Sequence, residues 1–178
     1  SGTPACFDCE LGSFCAGGGA PMTNCSAGTF TDEPRAKKCV KCAGGSYQHG
    51  SGATGCKACP TGHFCEEGSS TPLVCAAGTY RATTGAAGPS DCTQCPEGSA
   101  CVAGSADHAP CDPASYAPTP GLAACFGCEA GKYTPSTGST GCLLTPAGSY
   151  SLARATVALK CSPGSYSSSA GWANCTAC

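Results

Sequence analysis

Twenty cysteines stand at intervals drawn from a very short list, and that spacing constrains the chain more than anything else in it. Six Cys-x-x-Cys steps begin at Cys6, Cys39, Cys56, Cys92, Cys125 and Cys175. Five-residue gaps separate Cys9 from Cys15, Cys59 from Cys65 and Cys95 from Cys101, and each is followed by a nine-residue gap, to Cys25, Cys75 and Cys111. Thirteen residues part Cys25 from Cys39, Cys42 from Cys56, Cys111 from Cys125, Cys128 from Cys142 and Cys161 from Cys175; sixteen part Cys75 from Cys92. A period this strict marks a tandem array of small units.

Little else could hold such units together. The apolar fraction of 41% rests on alanine and cysteine, against five Phe, six Tyr, one Trp and one Met. Small units that bury too little apolar surface are stabilised by covalent staples, and this cysteine density belongs to an oxidising, extracellular setting. Gly, Ser, Thr and Pro interrupt every segment, which disfavours helices. The expected fold is therefore small and disulfide-rich. It is an elongated tandem array of short two-stranded β-hairpin modules with little or no helix, grouped as 1–58, 59–94 and 95–178 by the order of loop lengths.

The aromatic residues keep the same register. Phe14, Phe30, Tyr47, Phe64, Tyr80, Tyr133, Tyr150 and Tyr166 each follow a glycine by two residues, and Tyr116 follows Ala114 in the same way. Ala100 occupies the position without a ring. Rings at fixed register read as packing residues, each covering a neighbouring disulfide, rather than as a ligand row.

One copy of the unit lacks two cysteines. Thr145 stands where the second cysteine of a Cys-x-x-Cys step belongs, and Ala158 where the first cysteine of the next step belongs. Joint loss is expected of two positions bonded to each other. That phase gives Cys9–Cys15, Cys25–Cys39, Cys42–Cys56, Cys59–Cys65, Cys75–Cys92, Cys95–Cys101, Cys111–Cys125, Cys128–Cys142 and Cys161–Cys175. A shifted phase closes every Cys-x-x-Cys ring, spans the nine-residue gaps and joins Cys142 to Cys161. Such rings are typical of reducible cystines, so the first phase is preferred. It leaves Cys6 as the end of an upstream module and Cys178 as the opening of a downstream one. The chain is then expected to be a window on a longer array, with Ser1 the start of a processed chain or fragment, or a protomer bonded head to tail through both ends.

Both asparagines of the chain lie in glycosylation sequons, Asn24-Cys-Ser26 and Asn174-Cys-Thr176. Ser/Thr runs with Pro, such as 134–140, suit O-glycans. Apart from covalent glycans no cofactor is expected. Formal charge is −2 with scattered Lys and Arg, unlike a phosphate-binding surface. No apolar stretch approaches a membrane span. Cys39/Cys42 with Cys56/Cys59 approach zinc-ribbon spacing, but a ribbon accounts for neither the five- and nine-residue gaps nor the sequons. Redox use of Cys-x-x-Cys requires a helix N-terminus that this composition does not supply. His49, His63 and His108 fall in unrelated positions, and no nucleophile, phosphate-loop or paired-carboxylate pattern occurs. No catalytic or metal residues are assigned.

The unit Cys42-Ala-Gly-Gly-Ser-Tyr47…Gly55-Cys56-Lys-Ala-Cys59-Pro-Thr-Gly-His-Phe-Cys65 resembles the ephrin-receptor-like cysteine-rich repeat, related in style to tumour-necrosis-factor-receptor modules. Cys92-Thr-Gln-Cys95-Pro-Glu-Gly-Ser-Ala-Cys101 and Cys128-Glu-Ala-Gly-Lys-Tyr133…Gly141-Cys142 follow the same pattern. The resemblance implies extracellular, disulfide-stapled rods. Long tandem runs of this composition are similar to those of large secreted algal and protist proteins, including mastigoneme (flagellar hair) proteins. Two functions follow. One is a structural segment of a glycosylated extracellular filament or cell-surface fibre, partnered by copies of itself or by flanking repeats. The other is a receptor ectodomain region binding a protein ligand, which needs an exposed Trp, Tyr or Arg anchor; Trp172 is the one tryptophan.

Overall fold

The computed structural model describes residues 9–17 and 20–178. Ten two-stranded antiparallel sheets follow one another among the described residues, each a hairpin of consecutive strands. Hairpins 1 to 5 pair β1 (Ser13–Phe14) with β2 (Thr23–Asn24), β3 (Thr29–Phe30) with β4 (Val40–Lys41), β5 (Ser46–Tyr47) with β6 (Lys57–Ala58), β7 (His63–Phe64) with β8 (Leu73–Val74), and β9 (Thr79–Tyr80) with β10 (Thr93–Gln94). Hairpins 6 to 10 pair β11 (Ser99–Ala100) with β12 (Ala109–Pro110), β13 (Ser115–Tyr116) with β14 (Phe126–Gly127), β15 (Lys132–Tyr133) with β16 (Leu143–Leu144), β17 (Ser149–Tyr150) with β18 (Leu159–Lys160), and β19 (Ser165–Tyr166) with β20 (Thr176–Ala177). The one helical turn among the described residues is a 3₁₀ segment at Pro89–Asp91.

Each hairpin starts from the same turn. In hairpin 3 the Ser46 N–H donates to the Ala43 carbonyl at 3.0 Å, and its hydroxyl donates to the same oxygen at 2.7 Å. The third turn residue, Gly45, has φ +85°, the left-handed conformation that a type II turn demands at that place. That geometry accounts for the Gly-x-aromatic signature: glycine turns the chain, x opens the strand, and the ring follows. The hairpin then closes as Cys59 N–H donates to the Gly45 carbonyl.

Two-residue strands cannot stand alone in water. Neighbours complete them through a repeated set of backbone bonds. The Gly28 N–H donates to the Gln48 carbonyl, one hairpin along, and Thr31 N–H donates to Ala53. Gly52 N–H then reaches back to the carbonyl of Cys25, the residue that closes hairpin 1. Loop residues of one hairpin thus cover the turn two hairpins earlier, and a methyl group on Gly45 or Gly131 would run into the carbonyl of Gly85 or Gly171.

The chain divides into two compact units. One comprises the described residues up to Cys75 with Arg81–Cys92; the other comprises Ala76–Tyr80 with Thr93–Cys178. In each, the buried centre is sulfur and small side chains rather than aromatic rings. Cys25, Cys42, Cys59, Cys65 and Cys75 are fully buried in the first, and Cys95, Ala117, Thr145 and Ser151 in the second.

Two loop classes alternate along the chain. Hairpins 1, 4, 6 and 9 have eight residues between their strands, and hairpins 2, 3, 7, 8 and 10 have nine. Hairpin 5 has twelve, the extra length folding as the 3₁₀ turn. The order short-long-long-short-long over hairpins 1–5 therefore recurs over hairpins 6–10.

Candidate functional site

The candidate site is the set of cystines and the surface they support. The structure joins Cys9 to Cys15, Cys59 to Cys65 and Cys95 to Cys101 within the short-loop hairpins. In the long-loop hairpins it joins Cys25 to Cys39, Cys42 to Cys56, Cys75 to Cys92, Cys111 to Cys125, Cys128 to Cys142 and Cys161 to Cys175. Cα–Cα separations run from 5.6 to 6.1 Å, within the ordinary disulfide range. Both classes open on the same cysteine, just before the turn. The class decides where the partner sits: directly after the leading strand when the loop is short, directly before the second strand when it is long.

Hairpin 9 belongs to the short class, and this revises the reading of its lost pair. By strand register Ala158 does precede β18, as a long-class cysteine would. With eight residues between the strands, however, the partner of Thr145 is the residue after the leading strand, which is Ser151. Both are fully buried. Thr145 Oγ1 donates to the carbonyls of Gly131 (3.2 Å) and Trp172 (3.4 Å), and Ser151 Oγ donates to that of Lys132 (3.1 Å). Two hydroxyls thus occupy a cystine slot and satisfy themselves on backbone carbonyls, as buried polar groups must. Loop length was the signal that could have found Ser151.

Cys178 is an exposed, unpaired thiol whose N–H closes onto Gly164 as Cys161 closes onto Gly148. Cys6 lies outside the described residues. No group of three or more metal-capable side chains occurs among the described residues. None of the nine register rings joins the buried centre: eight are half-buried and Tyr166 is exposed. Each stands at the second position of its leading strand, and some of them meet a ring across the hairpin or in a loop. Tyr116 meets Phe126 at 5.9 Å between ring centres, Tyr80 meets His108 edge-on at 5.5 Å, and Tyr166 lies 6.4 Å from Trp172. His63 Nδ1–H donates to the Thr61 carbonyl at 2.8 Å, a contact within its own turn.

Within each hairpin the second strand is the more exposed one. Val40, Leu73, Val74, Phe126, Leu143, Leu144 and Leu159 are all exposed there. The loop of hairpin 9 adds exposed Leu152 and Val157 beside a cavity of about 320 Å³. Asn24 and Asn174 are exposed too; the Asn24 amide oxygen accepts from Ser13 Oγ at 2.8 Å. Charge is sparse on this surface. The Lys132 ammonium beside Glu129 (2.8 Å) holds that carboxyl below its usual range, and Glu129 in turn raises Lys132.

A family model described as tyrosine-protein kinase ephrin type A/B receptor-like spans the turn of hairpin 2 to the loop of hairpin 4. Residues 28–72 match it. The ephrin-receptor-like segment contains both loop classes and the Cys39–Cys42 and Cys56–Cys59 steps, and the hairpins on either side of it reuse its turn, register and cystine positions. No curated protein gives a match to the chain. No helix among the described residues is long and apolar enough to cross a membrane. The cystine density and the ephrin-receptor-like segment are consistent with an extracellular structural or receptor-like region.

Proposed function

We propose that the chain is a structural segment of a glycosylated extracellular filament or cell-surface fibre of the mastigoneme kind, built by serial stacking of stapled hairpins. The observation that carries this reading is the combination of purely local disulfides with backbone bonds running from each hairpin to those that follow it. Units that contact only near neighbours add end to end without a closing interface, and heterologous contacts that do not close give open fibres. Copies of the chain or flanking repeats are its partners, with Cys6 and Cys178 as junction thiols. Asn24 and Asn174 carry N-glycans that shield the thin hairpins. No catalysis, small-molecule substrate or cofactor belongs to this role. Negative-stain microscopy of the purified, oxidised chain tests it: fibres support the reading, and dispersed monomers with no assembly contradict it.

One observation favours a receptor-like alternative. Leu152, Val157 and Leu159 expose apolar surface where they line a cavity, as a protein-docking patch would. Under that reading the same preparation stays monomeric and takes up a protein ligand at hairpin 9.

A further inference from the structure

Disulfides decide what a break in the backbone does. A cut inside a disulfide-closed loop leaves both pieces joined, whereas a cut outside every loop parts the chain. Among the described residues, most unclosed stretches are short. The two residues between Cys39 and Cys42, or between Cys56 and Cys59, are hemmed in by cystines on both sides. The loops of hairpins 1, 4 and 6 leave nine residues unclosed, at 16–24, 66–74 and 102–110. Hairpin 9, with hydroxyls where a cystine would sit, leaves the whole of 143–160 unclosed.

That stretch also differs in what it displays. The three nine-residue stretches contain no Lys or Arg, and 66–74 begins with Glu66-Glu67. Hairpin 9 carries Arg154 in its loop, exposed, between exposed Leu152-Ala153 and exposed Thr156-Val157. The other unclosed basic residues, Lys41, Lys57 and Lys160, lie in strands beside cystines. Two backbone bonds hold the Arg154–Ala155 link in place: Arg154 N–H to the Cys128 carbonyl (2.7 Å), and Thr134 N–H to the Ala155 carbonyl (3.2 Å). With no staple across hairpin 9, local opening releases both, and an opened segment is what an endoprotease binds.

We propose that Arg154–Ala155 is a processing site for an arginine-directed serine endoprotease, and that cleavage there severs the array without any reduction. Water is the co-reactant. The Arg154–Ala155 C–N bond breaks, hydroxide ends on the Arg154 carbonyl carbon, and the proton goes to the Ala155 nitrogen. Residues 155–178 then leave as one piece, still closed by Cys161–Cys175. The inference stands whether the array serves as a filament or a receptor region.

Brief trypsin treatment of the full, non-reduced chain tests it. The expected first product is a pair of fragments split after Arg154 that separate on a gel without reductant. A first cut at any other basic residue, or fragments that part only after reduction, would overturn the proposal. Arg154→Gly puts the residue found in most of the other loops at this left-handed position (φ +57°), so the fold is retained. Its first cleavage should slow about tenfold or more; an unchanged rate counts against the site. Amide exchange supplies a readout independent of any variant. The Ser151 and Cys161 amides should exchange about tenfold or more faster than the corresponding Cys65 and Cys75 amides, and equal rates would refute preferential opening of hairpin 9.

Discussion

Hairpins 4 and 9 hold the same place in the two halves of the hairpin order, and they differ chiefly in how the centre is closed. Their backbones make matching bonds: Cys65 N–H to Ala86 and Ser151 N–H to Trp172, Gly85 N–H to Cys59 and Gly171 N–H to Thr145. In hairpin 4 a cystine joins the two buried positions; in hairpin 9 two hydroxyls bond to carbonyls instead. The difference separates two contributions to the fold. Neighbour-to-neighbour backbone bonding specifies the hairpin, and the staple adds stability by restricting the unfolded chain. The first is present in both hairpins and the second in one.

Exchanging the staples should give the largest effects. Cys59→Ala with Cys65→Ala removes a six-residue closure and should cost about 2–3 kcal/mol in a urea titration run without reductant. Thr145→Cys with Ser151→Cys should form a disulfide by intact mass and recover about 2 kcal/mol. Thr145→Cys with Ala158→Cys should not pair, because the short loop puts the partner at Ser151. Equal pairing of both variants would erase the distinction between loop classes.

Next come the turn glycines. Gly131 and Gly148 both have positive φ, but only at Gly131 would an added methyl meet another backbone, the Gly171 carbonyl. Gly131→Ala should cost about 2 kcal/mol and Gly148→Ala about 1, since both bear the conformational cost and one also bears the clash. Nature has made this exchange once. Ala114 (φ +69°) takes the turn position in hairpin 7, while Arg154 replaces the loop glycine and lays its side chain over Gly127. A reversed order of the two alanine variants in chemical denaturation would break the stacking account.

Thr145→Val should act more weakly, by about 1 kcal/mol, because it removes a hydroxyl donor while Gly131 and Trp172 keep their backbone N–H partners.

The smallest effect belongs to hairpin 5, whose longer loop sets it apart from hairpin 10. The Asp91 carboxylate accepts the Ala87 N–H (2.6 Å) and the Gly88 N–H (3.3 Å) with Arg81 nearby, which holds it below the usual carboxylate range. A depressed folded value means its contribution is complete above the unfolded value near 4 and is lost as pH falls through the lower folded one. Asp91→Asn should therefore lower stability slightly at neutral pH, with the gap to the parent closing once the acid limb is passed.

Fold class was legible in the sequence because spacing and scarcity of large side chains leave few alternatives to stapled hairpins. The Gly-x-aromatic register was legible for a local reason, the left-handed third position of one turn. Other features were not. The rings were expected to pack over the disulfides; they stay half-buried or exposed, and the buried centre is made of sulfur, hydroxyl and methyl. Ser151 was missed because the lost cysteine was sought by Cys-x-x-Cys spacing, whereas the loop length, eight against nine residues, selects the partner. Contacts two hairpins apart, such as Gly52 with Cys25, leave no trace in a periodic sequence beyond the glycines they require.

Peptide mapping of the non-reduced protein is the most direct check on closure hairpin by hairpin. The account predicts linked peptides for Cys59–Cys65 and Cys128–Cys142, and none bridging Cys142 to Cys161. Closed Cys-x-x-Cys rings with a Cys142–Cys161 bond would contradict it.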